Sequence, residues 1–299
     1  MAEQPLALAP VVESTPPAPR RVRTIRRPIP GRGAVRLIPL ALLLALGFLV
    51  PVMLPQSPSA QDLSARLTPP VWFGGSWEHP LGTDGLGRDL LARIAIGARS
   101  SLIVSAVAAT GAALIGVIAG IAAGMIGGIV DRAITMLVET LLAVPFITIG
   151  LMITATIGQS MTSLLILLIA TGWITHARIL RLQARSLIHA GFVEAARSYG
   201  ASRTWIALRH IAPNLAPAAI VVLFQQMGSM LLWSASLTYL GIGLPIDHVT
   251  LGGIVREGQE LIYTAWWVSV FGGLSIALAV AGFNLCADWL RHRLDPTLR

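Results

Sequence analysis

Bond chemistry needs a nucleophile, a proton carrier or a set of metal ligands, and the side chains able to supply one are few and scattered here. All 22 basic residues are Arg. Without Lys there is no Gly-Lys-Ser/Thr phosphate loop, no Schiff-base lysine and no kinase-type phosphate lysine. His79, His176, His189, His210, His248 and His292 show no i,i+3 or i,i+4 pairing, so no histidine metal cluster is expected. Asp84 and Asp89 lack the ligand spacing of a calcium loop. No HExxH, no GxSxG and no carboxylate pair within an apolar run is found. Cys286 is the single cysteine and cannot close an intrachain disulfide. The expectation is a chain with no catalytic residue, no metal and no bound cofactor.

The spacing that does stand out is mechanical. Between two apolar runs lies the Arg-rich segment 178–214, far longer than a connector needs. It holds a helix-forming piece from Phe192 to Tyr199, a stop at Gly200, and a second piece from Ser202 to Ile211 ahead of Pro213. Gly200 fits the C′ position of the first helix and Ser202 the N-cap of the second. Helix, turn and helix without chemistry read as a docking knob. Val193, Ala196, Tyr199 and Trp205 are the side chains able to seat in a partner's groove. The competing reading is an amphipathic helix lying on anionic lipid.

Composition says where this knob sits. Of 299 residues, 55% are apolar and 12% charged, with mean hydropathy +0.73; a soluble domain carries roughly 25% charged residues. The net charge of +8 does not imply nucleic acid, because the Arg residues lie between apolar runs and not on one face. A membrane is the expected solvent. No charge falls in 37–61, 100–130, 140–177, 215–246 or 261–287. As one helix, 140–177 would reach about 57 Å against a hydrocarbon core of about 30 Å, so Gly158-Gln159-Ser160 splits it. Six spanning helices are expected, about 37–55, 101–126, 133–157, 162–181, 216–240 and 265–288. With the N-terminus inside, inner segments hold seventeen Arg and outer segments five. The positive-inside rule then puts both termini in the cytoplasm.

The expected organisation is an Arg/Pro-rich cytoplasmic tail, 1–36, without core-building residues, then a first transmembrane helix, 37–55. The tail and this helix read as an uncleaved signal anchor and not a twin-arginine signal. Residues 56–98 form a periplasmic loop. In it Thr83 or Asp84 caps a helix over about 86–98, whose Leu86, Leu90, Ile94 and Ala98 share one face. That face suits an interfacial helix, or equally an ordinary capped surface helix. Residues 99–290 form a five-helix core with a cytoplasmic coupling loop at 182–214, and 291–299 a cytoplasmic tail. Gly111, Gly116, Gly120, Gly124, Gly127 and Gly128 allow close helix approach, the cluster at 116–128 above all. Gln225, Gln226 and Ser229 are polar enough to line a path, or to hydrogen-bond neighbouring helices.

Several blocks carry a resemblance. Glu194-Ala195-Ala196, Gly200 six residues after the Glu, and Pro213 thirteen after that Gly resemble the EAA motif of ABC importer permeases. His79-Pro80-Leu81-Gly82-Thr83-Asp84 with Gly87-Arg88-Asp89, the turn at 124–132, FVEAARSYGAS at 192–202, RHIAPN at 209–214 and FNLCADWLRHRLDP at 283–296 are similar to the dipeptide/oligopeptide/nickel permease family, in its C-type member. The matches span about 77–298. Besides His210, two places depart from the family. Glu139 stands ahead of Ala143 and Pro145 where Asp is common. The 241–253 loop lacks the family's Trp and keeps one Pro, which loosens any inference about the solute.

The resemblance implies an all-α type I importer fold, N-in and C-in, in a bacterial inner membrane. Glu194, Ala195, Ala196 and Gly200 would form a coupling helix docked on an ATPase subunit. Arg197 and Arg203 would flank it, and Pro213 would set the start of the fifth helix. His210 stands where an aliphatic residue is common and reads as a local variation. The implied partners are a homologous second permease, one or two ATP-binding subunits carrying ATP-Mg, and a periplasmic or lipid-anchored solute-binding protein. The implied cargo is peptide or a related small solute such as a nickel chelate. Against this stands a secondary transporter or channel subunit, which usually needs ionisable groups within the membrane. Only Glu139 and His176 come close, and no repeated half is visible.

Overall fold

The computed structural model describes residues 35–53, 59–245 and 248–294. The N-terminal tail, apart from Val35 and Arg36, and the end of the C-terminal tail lie outside the described residues. Among those residues there is no regular strand, only an isolated bridge between Thr83 and Asp89.

Helix α1 (Ile38–Phe48) runs on into a turn, Val50–Met53, and is wholly apolar. Helix α2 (Leu90–Ile126) is 37 residues long and begins eleven residues before the expected span. The separate interfacial helix is therefore corrected. Residues 90–98 are the first turns of α2, and Leu90, Ile94 and Ala98 are buried in the chain's own core. Its cap is neither Thr83 nor Asp84. The Asp89 carboxylate accepts from the Ala92 N–H at 2.7 Å. Helix α2 ends at Gly127.

The third expected helix is broken. Helix α3 (Gly128–Ala143) and helix α4 (Phe146–Ile157) meet at 87°. Pro145 has no N–H to continue the ladder and forces Val144 into extended backbone. Gly158 then turns the chain, and Ser160 and Ser163 form a reciprocal cap on helix α5 (Met161–Leu187). Next come helix α6 (Gly191–Ser198) and helix α7 (Arg203–Ile206). A π-helical turn, Ala207–Ile211, leads without a break into helix α8 (Ala212–Tyr239). Helix α9 (Leu251–Gln259), absent from the sequence expectation, precedes helix α10 (Trp267–Leu294).

Among the described residues four helical stretches are long and apolar enough to cross a membrane, and five if the bent pair counts as one. Helix α1 with its last turn is shorter. The core centres on α2, α5 and α8. Gly116, Gly120 and Gly124 make one stripe of α2 that lies on the backbone of α5. A Cβ would come 2.5 Å from the Trp173 carbonyl at 116, 2.8 Å from that of Ala177 at 120, and 2.7 Å from that of Arg181 at 124. The close-approach expectation for this stripe therefore holds. It fails for Gly127 and Gly128, which meet no neighbour and instead supply positive φ at the α2–α3 turn.

Candidate functional site

The knob at 188–214 is built by local chemistry. Helix α6 closes with a Schellman arrangement. The Ala201 N–H reaches the Ala196 carbonyl at 3.0 Å and the Gly200 N–H that of Arg197 at 2.9 Å, with Gly200 at φ +82°. The Ser202 hydroxyl accepts from the Trp205 N–H at 3.2 Å and starts α7. Pro213 sits in the first turn of α8, which the π turn joins to α7 in one continuous rod. A proline ring crowds the carbonyl four residues back. The π turn widens the helix just there, and the Ala212 N–H bonds back to Ala207.

The knob has an inner and an outer side. Val193, Ile206 and Ile211 are buried with Leu180 and Ala184 of α5 and Leu215 of α8, and Ala196 packs against them. Val193 and Ala196 thus anchor the knob to its own chain and are not the groove-seating contacts expected of them. Glu194, Ala195, Arg197 and Gly200 face outward. So do Trp205 and Tyr199, the latter 93% exposed. Pro213 is exposed too. His210, read in the sequence as a local variation, packs between two aromatic rings of the knob. Its ring lies 4.9 Å from that of Trp205 and 5.8 Å from that of Phe192, joining α6 to the π turn. Trp205 and His210 are five apart, a spacing that shares a face only when a turn is widened. No helical periodicity would have flagged it.

The knob is tied onward into the bundle. Arg181 of α5 donates to Asp131 of α3 at 2.7 Å. Beside this ion pair, α3 and α5 line an open cleft of about 210 Å³ with Thr135, Glu139, Arg178 and Arg181 on its walls. The polar trio on α8 divides. Gln226 is buried and its amide donates to the Gly172 carbonyl of α5, so it joins helices. Gln225 is half-buried, and Ser229 is exposed with its hydroxyl donating to the Gln225 carbonyl at 3.4 Å.

The 79–89 segment organises the far end. Asp84 is nearly inaccessible and its carboxylate accepts from the Leu86 N–H at 2.8 Å, the Arg88 N–H at 3.0 Å and Arg88 Nε at 2.6 Å. Arg93, 2% exposed, bridges Asp84 to Glu257 of α9, and Arg88 Nη2 reaches the same Glu257 at 2.7 Å. Burial resists ionisation of Asp84. The Arg88 N–H, the Arg93 charge, the Leu86 N–H and the Arg88 charge outweigh it and hold the carboxyl below its ordinary value. His79 meets the capping Asp89 at 2.9 Å. Nothing in the sequence pattern singles out Glu257 as the partner, because it lies more than 160 residues from both arginines.

Residues 116–299 match the family described as binding-protein-dependent transport system inner membrane component. The oligopeptide transport system permease protein OppC of Mycobacterium bovis is 33% identical over 289 residues, covering 94% of this chain and 96% of its own. The dipeptide transport system permease protein DppC of Alkalihalophilus pseudofirmus is 34% identical over 226 residues, 76% of this chain and 74% of its own. A chain of the MetNI methionine ABC transporter, solved in inward-facing conformations, shares the fold with TM-score 0.57 and 19% identity, over 69% of this chain and 96% of its own. This protein belongs to the binding-protein-dependent transport system inner membrane component family and is a non-catalytic permease subunit of an ABC importer.

Proposed function

We propose that this permease forms half of the path for peptides, or for a related small solute such as a nickel chelate, and takes its power stroke through 191–211. The observation that carries the reading is the two-sided knob. Its outward face presents Glu194, Ala195, Arg197 and Gly200, while Val193, Ile206 and Ile211 are locked into α5 and α8. A pull on such a knob moves two core helices as a rigid body. Ala196 holds its shape from within, and Pro213, on its surface, fixes the backbone of the first turn of α8. ATP-Mg is bound and hydrolysed on one or two partner ATPase subunits.

Six crossings with both termini cytoplasmic follow if α1 spans with its flanking residues and α3–α4 counts once; the Arg asymmetry supports that orientation. The homologous second permease seats against the bent α3–α4 side. There Met136, Leu142, Leu151 and Met152 are exposed on helices that pack chiefly on α2 and α5. Gln225 and Ser229 face the path, and a periplasmic or lipid-anchored binding protein delivers the solute at the α9 end. Family membership leaves the secondary-transporter reading without support.

Affinity purification from native membranes tests this. Recovery of a second permease with ATPase chains is expected, along with loss of peptide uptake for Glu194→Ala in a complex that still inserts. Recovery of a homo-oligomer alone, or normal uptake by that variant, would refute the assignment.

A further inference from the structure

The 59–89 loop carries at its middle an aromatic ridge that the transport reading does not use. Trp72 and Phe73 stand in a 3-10 turn, Val71–Phe73, each more than half exposed, and Trp77 is 80% exposed. Two of these rings have fixed places. Trp72 packs edge-on against Phe271 at 5.9 Å, and Phe73 against Trp266 at 5.4 Å. The indole N–H of Trp267 donates to the Thr83 carbonyl at 3.2 Å, so the loop is pinned to the first turn of α10.

Helix α10 supplies a depth scale. At its other end Trp289 lies under the Arg293 guanidinium at 5.3 Å, beside Arg291 and His292. From Trp267 to Trp289 the helix rises about 33 Å, and from Phe271 about 27 Å, against a hydrocarbon core of about 30 Å. The two aromatic groups therefore lie one core thickness apart, where amphipathic rings settle at headgroup level. The ridge also continues an outward face. Trp266, just ahead of α10, and Val270, Leu274, Ala277, Ala281 and Asn284 along it form one exposed stripe, and the helix packs chiefly on α8, α9, α1 and α2. With the partner permease on the α3–α4 side, a placement that rests on the proposed function, this stripe is left to lipid.

We infer that Trp72, Phe73 and Trp266 sit in the interfacial layer of the membrane, making the 59–89 loop an in-plane lipid anchor that steadies the end of the bundle carrying α9. The occupant of the ridge is phospholipid, at the depth of its glycerol and carbonyl groups. The ring bodies bury against the upper chains and the indole N–H groups remain with the polar layer. The ion-paired end of the loop, Asp84 and Arg88 with Glu257, stays on the aqueous side.

The test uses the complete transporter in lipid nanodiscs doped with a phospholipid carrying a diazirine near its carbonyl. Photolysis and peptide mapping should place lipid adducts within 71–77 and at Trp266, and none at Glu260. The second measurement is collision quenching of spin labels at Phe73→Cys, Trp77→Cys and Glu260→Cys in a Cys286→Ala background, the native thiol being buried. Oxygen should outpace a water-soluble nickel chelate at 73 and 77, with the order reversed at 260. Absence of lipid adducts in 71–77 of the unaltered complex overturns the proposal. So does chelate access equal to that at 260, or labelling of the ridge by a solute-binding protein and not by lipid. Because the adducts are mapped on the unaltered complex, the result depends neither on how a variant folds nor on which cargo is carried.

Discussion

Gly200 offers the most direct probe of the coupling knob. Its φ of +82° is left-handed, and a Cβ built there meets nothing within 4 Å. Within this chain the cost of a side chain is therefore conformational and not steric. For an L-residue it is about 1–2 kcal/mol, and a β-branched side chain lies at the unfavourable end. Helix α6 has eight residues and no side-chain N-cap, so little else restrains its free end. A penalty of this size would lower the population of the capped knob by roughly 5- to 30-fold. The buried anchor Val193 is untouched, and insertion should be unaffected. Substrate-stimulated ATP hydrolysis by the reconstituted complex should fall in the order Gly, Asn, Ala, Val, because Asn tolerates the left-handed region best of the three. Amide exchange over 191–202 should rise in the same order. Equal activity for Gly200→Val and wild type would refute the reasoning. Equal inactivity of all three variants would refute it differently, by showing that a partner atom touches Gly200.

Other outcomes follow from the packing. Gly120→Val places side-chain atoms against the Ala177 backbone, which cannot swing aside; a loss of about 1–3 kcal/mol is expected as a lowered Tm in detergent, whereas Gly273→Ala, in α10 with nothing within 4 Å of the added carbon, should leave Tm unchanged or raised. Asp84→Asn strips the nearly buried Arg93 of one of its two charged partners, with a cost of the order of 3 kcal/mol read as faster thermal inactivation. The Asp84 carboxyl titrates below its ordinary 3.8, so its stabilisation is complete above that pH and is lost as pH falls through the lower folded value; Asp84→Asn should flatten that acid limb. His210→Ala removes the ring between Phe192 and Trp205 and should loosen α6 against α7 by about 1 kcal/mol, seen as raised amide exchange and reduced uptake, whereas His210→Phe should retain both.

The class of molecule, the approximate place of most apolar helices and the helix–turn–helix outline of the knob were already legible in the amino-acid order. Those features rest on one-dimensional quantities, namely the length of uncharged runs and the order of cap residues around Gly200 and Ser202. Tertiary structure decided what depends on distant neighbours. Helix α2 starts as early as Leu90, capped by Asp89, and there Arg93 meets Asp84 and Glu257, the latter from α9. Pro145 lies inside the span expected as one helix over 133–157; the break there and the 87° between α3 and α4 are features of the folded chain. Val193 and Tyr199 lie six residues apart on one short segment, and the first is buried while the second is open, because α5 and α8 lie on one side only. Gln226 turned inward to the Gly172 carbonyl, while its neighbour Gln225 stayed half-exposed. A polar side chain in an apolar helix must find a partner, and which helix supplies that partner is fixed only when the bundle closes.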